Sequence, residues 1–221
     1  MRRALVVAAV ALAACARREE DRSIIAFGDS LTEGYEVGPG ESYPERLGRL
    51  LGRPVLNRGV SGNTTAQGLA RLQRDVLDEN PRVVLVCLGA NDMLRGMPAD
   101  EQFANLRAIV KAIQAKGALV ILIGTEGYEA QSPRAARATG STPGASAGGP
   151  GGAAQRPPAR EDYGERYREL ARATGAVYVP DLMRGVLGNP VLMRDRIHPN
   201  AAGNEKIARR LLAEVGDRLP R

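Results

Sequence analysis

Histidine is almost missing from this chain: there is one, His198, in 221 residues. Cysteine is nearly as scarce, with Cys15 and Cys87 alone. One imidazole and one thiol set mid-run among valines and leucines cannot complete the tetrahedral nitrogen and sulfur set of a standard zinc site. No metal and no other cofactor is expected. With Cys15 committed elsewhere, as argued below, Cys87 has no partner and no disulfide is expected; its apolar setting is that of a buried, inert thiol. Aromatic residues make up 4% of the chain, tryptophan is absent, and none of them cluster into a platform for stacking bases. The formal charge of +6 also overstates the basic field. Once Arg2, Arg3 and the arginine-rich segment 127–160 are set aside, about +1 remains, so nucleic acid is excluded as a partner. No apolar run reaches the roughly 20 residues that a membrane-crossing helix takes.

What is present is a set of short motifs, each after an apolar run. Ile24-Ile25-Ala26-Phe27 reads as a buried strand and leads into Gly28-Asp29-Ser30-Leu31. Ser30 is thereby placed at a strand's carboxyl end, where open α/β sheets hold their chemistry. Near the other end of the chain stands Asp195-Arg196-Ile197-His198-Pro199. A serine hydroxyl is a weak nucleophile until a base takes its proton, and a histidine serves best when a carboxylate fixes its tautomer. Ser30, His198 and Asp195 supply those three parts. Between them lie Asn57-Arg58-Gly59-Val60-Ser61-Gly62-Asn63-Thr64 and Gly89-Ala90-Asn91-Asp92, the latter directly after Val83-Val84-Leu85-Val86-Cys87-Leu88. Acyl transfer places negative charge on a carbonyl oxygen, and donors aimed there contribute about 3–4 kcal/mol each. Gly62 offers an N–H with no Cβ to hinder approach, Asn91 a side-chain amide, and Ser30 its own N–H. Taken singly, each loop reads as a turn; the four in this order do not.

The set Ser30, Gly62, Asn91 and His198 resembles the SGNH (GDSL-type) hydrolase family, named for those residues. The similarity runs from about Ile24 to Val215, apart from one insertion. Gly28 through Tyr35 and Gly89 through Pro98 look like the branch that contains multifunctional esterase, thioesterase I and lysophospholipase I enzymes. The resemblance implies Ser30 as nucleophile, His198 as base and Asp195 as its orienter. It implies an oxyanion hole made of the Ser30 N–H, the Gly62 N–H and the Asn91 amide. A second nucleophile-elbow pattern, Gly144-Ala145-Ser146-Ala147-Gly148, is set aside because it has neither a strand before it nor a helix after it.

Met1-Arg2-Arg3 followed by the apolar stretch Ala4 to Ala14 fits a secretory signal. Leu12-Ala13-Ala14-Cys15 resembles a bacterial lipobox, in which Cys15 is acylated and becomes the first residue. Such an acyl set exceeds what stable membrane anchoring requires. The expected organisation is therefore a signal peptide over 1–14, a lipidated cysteine and polar tether over 15–22, and one hydrolase domain over 23–221. Within that domain strands and helices alternate: strands at Ser23–Phe27, Pro54–Asn57, Arg82–Leu88, Ala118–Gly124 and Ala176–Val179; helices at Tyr43–Leu51, Thr65–Asp78, Asp100–Lys116, Asp162–Thr174 and Pro199–Val215. Pro199 suits a first helical turn. The fold class predicted is α/β, a three-layer α/β/α sandwich with a five-stranded parallel sheet, the flavodoxin-like arrangement of SGNH hydrolases.

A low-complexity insertion interrupts the pattern at about 130–160. In 139–159, ten of 21 residues are glycine or proline and none is a large aliphatic or aromatic, so the segment cannot bury enough apolar surface to offset its ordering entropy. It reads as an inert linker; the sharper alternative is a basic flap touching anionic lipid or substrate. The function expected is a serine esterase acting on carboxylic esters or thioesters, in a bacterial envelope on lysophospholipids or other small acyl esters. A carbohydrate O-deacetylase is the alternative within enzymes, and an inactive binding lipoprotein the alternative outside them, against which the intact residue set argues. The partners expected are a small ester or lipid substrate and a membrane reached through the anchor, for a monomer.

Overall fold

The computed structural model describes residues 22–128 and 162–220. The signal, Cys15 and the tether as far as residue 21, the Thr139–Ala159 insertion and the Gly144–Gly148 pattern lie outside the described residues.

The first strand, β1 (Ser23–Gly28), lies inside the sheet, with a neighbouring strand on each side. Ile25 stands opposite Leu56 of β2 (Val55–Gly59) and opposite Val84 of β3 (Pro81–Cys87). Beyond β3 come β4 (Leu119–Ile123) and β5 (Val177–Val179), giving a parallel sheet in the order β2-β1-β3-β4-β5. The near-continuous Ile, Val and Leu runs of β1, β3 and β4 are what a sheet covered on both faces demands, and these residues are buried. On one face α2 (Tyr43–Leu51) packs with α7 (Ala201–Val215). On the other, α5 (Ala99–Ala115) packs with both α3 (Thr65–Asp75) and α6 (Tyr163–Thr174). The expected three layers and five parallel strands are present.

Strand order reverses between β1 and β3, and a crevice opens outside their carboxyl ends at such a point. Two helices too short for a periodic pattern start there: α1 (Ser30–Glu33) directly after β1, and α4 (Ala90–Leu94) directly after β3. The polypeptide enters β1 from the opposite, amino edge.

Several boundaries differ from expectation. The helix expected over Thr65–Asp78 ends at Asp75; Val76 leaves helical geometry at φ −133° and Leu77–Glu79 form a 3-10 turn. The second strand runs on to Gly59 rather than stopping at Asn57. The last helix starts at Ala201, capped by the Asn200 side chain accepting from the Gly203 N–H at 3.0 Å. Pro199 therefore lies outside the helix, bridged to Met193, because an asparagine whose side chain satisfies a free N–H is the stronger start.

Candidate active site

At the end of β1 the chain turns into α1 so tightly that only glycine fits. A Cβ on Gly28 would lie 2.1 Å from Thr32 Oγ1 and 2.6 Å from the Cys87 carbonyl. Asp29 caps the helix by accepting the Leu31 N–H at 3.1 Å. Ser30 is thereby fixed at the start of α1, nearly buried at 9% exposure, with its hydroxyl at the crevice.

His198 reaches it from the far end of the sequence. Its Nε2 lies 3.0 Å from Ser30 Oγ, and its Nδ1 lies 2.8 Å from Asp195 Oδ2. The short spacing between Asp195 and His198 works because the intervening backbone curls over the carboxylate: Asp195 Oδ1 accepts the N–H groups of Ile197 and His198, each at 2.7 Å. Partial desolvation pushes the Asp195 pKa up, but the hydrogen bonds from the His198 ring and from those two N–H groups outweigh it and hold the carboxyl at about 2. Asp195 is thus an anion whenever the imidazole works, and it fixes the tautomer that leaves Nε2 open to the serine proton.

The loop is tied down from three sides. Arg194 N–H donates to the His198 carbonyl at 2.9 Å, the buried Tyr128 hydroxyl donates to the Ile197 carbonyl at 2.8 Å, and the Tyr35 ring stacks on the imidazole. Glu36, at φ 54°, pairs with Arg194 and so joins the loop after α1 to the histidine loop.

The other two loops open on the same edge. At the end of β2, Gly59 passes so close to α1 that a Cβ would lie 2.0 Å from the Glu33 nitrogen. Gly62 follows at φ 76°, a left-handed conformation that favours glycine. After β3, Gly89 takes φ 119° with Tyr167 and Gln102 packed against it. The Asn91 amide joins all three loops: Nδ2 donates to Asp29 Oδ2 at 3.2 Å and to the Asn63 carbonyl at 3.1 Å. Asp92 below it accepts the Thr65 N–H at 2.9 Å and the Thr65 hydroxyl at 2.6 Å.

Ser30, Asp195 and His198 are therefore brought into one hydrogen-bonded line, and Gly62 and Asn91 stand on the same edge. The Asn91 amide is not a free donor, since both its protons are engaged, so donating to a substrate oxygen means exchanging or sharing one of them. The backbone N–H groups of Ser30 and Gly62, by contrast, meet no acceptor among the described residues. Asp29 is the group that sequence reasoning passed over. It is wholly buried; desolvation pushes its pKa up to about 6, against the Leu31 hydrogen bond and the attraction of His198. Its place between a strand end and a nucleophile-bearing helix was visible, but its contact with a residue 62 positions away was not.

Among the described residues no cluster of three or more His, Cys, Asp or Glu could hold a metal ion. Cys87 is buried and free, and desolvation drives its thiol pKa well above the ordinary value. The geometry suits nucleophilic attack on an acyl carbonyl, with the proton passing to His198 and the developing oxyanion facing backbone donors.

Residues 26–206 match the model of the GDSL-like Lipase/Acylhydrolase family. The chain is 28% identical to Esterase TesA of Pseudomonas aeruginosa, over 94% of each chain. It is 30% identical to Thioesterase 1/protease 1/lysophospholipase L1 of Escherichia coli, over 84% of this chain and 79% of that protein. The crystal structure of TesA superimposes with a TM-score of 0.70 at 26% identity, covering 90% of this chain and all of the other.

Proposed function

The chain belongs to the GDSL-like lipase/acylhydrolase family and is an ester hydrolase, and from that premise we propose that it cleaves lysophospholipids and short to medium acyl esters through an acyl-enzyme on Ser30. The observation that carries this reading is the unbroken line from Asp195 through His198 to Ser30, at 2.8 and 3.0 Å.

In the reaction, Ser30 Oγ attacks the acyl carbonyl carbon while His198 Nε2 takes the hydroxyl proton. The tetrahedral oxyanion forms against the N–H groups of Ser30 and Gly62, with Asn91 exchanging one of its resting bonds to join them. Collapse breaks the bond to the alcohol or thiol, which leaves with the proton from His198. Water, activated by the same imidazole, then attacks the acyl carbon and frees Ser30.

The substrate class follows from the address. Leu12 to Cys15 resembles a lipobox, which supports an address in a bacterial cell envelope, reached through a lipid anchor and away from cytosolic acyl-CoA, for a protein proposed to act as a monomer. Labelling by a fluorophosphonate probe and a chain-length series of p-nitrophenyl esters and lysophospholipids test the reading. Labelling lost in Ser30→Ala together with turnover supports it. Retained turnover in folded Ser30→Ala overturns it, and activity confined to acetylated sugars favours a carbohydrate O-deacetylase. Cys15→Ser tests the anchor: incorporation of a fatty-acid label into the wild type, lost in the variant, is expected.

A further inference from the structure

A backbone N–H is a useful oxyanion donor only if its direction is fixed, and Gly62 is the donor with least local constraint. It has no side chain, and a Cβ placed there would meet nothing closer than Arg95 Nη2 at 3.4 Å. Beyond the turn closed by Asn63 on Val60, what fixes it comes from outside its loop. On the upstream side, the Ser61 N–H donates to Glu33 Oε2 at 2.9 Å, and the Ser61 hydroxyl donates to the same oxygen. On the downstream side, the Gly62 carbonyl accepts from Arg95 Nη2 at 2.8 Å. The peptide unit joining Ser61 to Gly62, which carries the N–H in question, is thus held between a carboxylate and a guanidinium, each through a charge-assisted bond.

We infer that Glu33 and Arg95 are positioning residues that aim the Gly62 N–H at the oxyanion of the acylation and deacylation steps. This rests on the reading of Gly62 as an oxyanion donor. The supports have the right origins. Glu33 closes α1, the helix that Ser30 opens, and Arg95 caps α4, the helix that holds Asn91. The second donor is therefore referenced to the nucleophile on one side and to the third donor on the other. The Asn63 N–H, in the same peptide group as the Gly62 carbonyl, donates to the Val60 carbonyl at 3.1 Å, and the Asn63 carbonyl accepts from Asn91, so Arg95 reinforces a plane that the turn already holds, while Glu33 alone holds the peptide before Ser61. Glu33, Ser61 and Arg95 are exposed, so their bonds contribute little to stability. Their loss should be felt in turnover.

The test compares Glu33→Ala, Glu33→Gln and Arg95→Met with the wild type, using p-nitrophenyl acetate and phenylboronic acid, whose tetrahedral adduct on Ser30 sets an oxygen in the oxyanion position. Glu33→Ala is expected to lower kcat about tenfold at unchanged KM, since small misplacements of donors are costly. Boronic acid affinity should fall by a matching factor while the melting temperature holds. Glu33→Gln should recover part of the loss, because its amide oxygen still accepts the Ser61 N–H. The double variant Glu33→Ala/Arg95→Met should lose less than the product of the single losses. Unchanged kcat in Glu33→Ala, or a loss in KM alone, overturns the inference while leaving the Ser30 mechanism standing. Retained turnover in Ser30→Ala is a different failure, that of the mechanism itself.

Discussion

The Tyr35 ring lies against the imidazole of His198, with centroids 4.4 Å apart and planes inclined by 33°. The phenol is part-exposed, and the neighbouring Glu36 carboxylate raises its pKa. One face of the imidazole is therefore covered by an aromatic surface from the segment that follows α1. A stacked pair of this kind contributes about 0.5–1.5 kcal/mol beyond its buried area, and here it limits tilting of Nε2 away from Ser30. Tyr35→Phe should retain nearly wild-type kcat, whereas Tyr35→Ala should lose about two- to tenfold. Equal losses in both variants under steady-state assay would point to the hydroxyl rather than the ring.

Asn91→Ala removes the proposed third oxyanion donor and the bridge between Asp29 and Asn63 in one change. A fall in kcat of about 10²–10³-fold is expected. Asp195→Asn should keep the loop bonds to Ile197 and His198 but lose the anion that orients the ring, so it should also fall steeply while remaining above His198→Ala. A ranking by kcat with His198→Ala above either variant contradicts the assignment.

The buried carboxyl of Asp29 sets a stability trend opposite to that of a salt-bridged acid. Its pKa is raised from 3.8 to about 6 on folding, chiefly by burial, so between those values the folded protein binds more protons than the unfolded chain. Its contribution is greatest below the unfolded value and is lost as pH rises through about 6, a change of about 3 kcal/mol in all. Urea unfolding of the wild type and Asp29→Ala from about pH 4 to about pH 7 should show the variant gaining relative to the wild type as pH rises. A difference that does not vary with pH would sink this account.

Gly89 lies at φ 119°, and a Cβ there would stand 2.2 Å from the Tyr167 hydroxyl and 2.5 Å from Gln102 Nε2. Gly89→Ala therefore meets backbone strain and overpacking together, and should cost about 3 kcal/mol or more of unfolding free energy. Gly175→Ala, at φ 71° with nothing near its Cβ, meets strain alone and should cost less. Equal midpoints in denaturant for the two would show that packing at Gly89 yields more readily than these distances imply.

The sheet and the four loops were readable because parallel strands buried on both faces are written as unbroken apolar runs, Val83 to Cys87 most clearly. Helix α3 was overrun because Val76 and Leu77 continue the apolar spacing while the backbone has already left the helix. Helices α1 and α4, of four and five residues, are shorter than any period that could announce them. What was least legible were pairings between loops: Asn91 with Asp29, Ser61 with Glu33, Tyr35 with His198. Each joins side chains that share no local pattern, and only the folded sheet edge brings them together.

The polarity of β1 carries one more consequence. The chain enters that strand at Ser23 and reaches Ser30 just past its other end, so six strand residues separate the point of entry from the crevice, about 20 Å of protein. If Cys15 carries the proposed anchor, the tether joins the domain at the edge opposite the crevice, and the mouth turns away from the point of attachment.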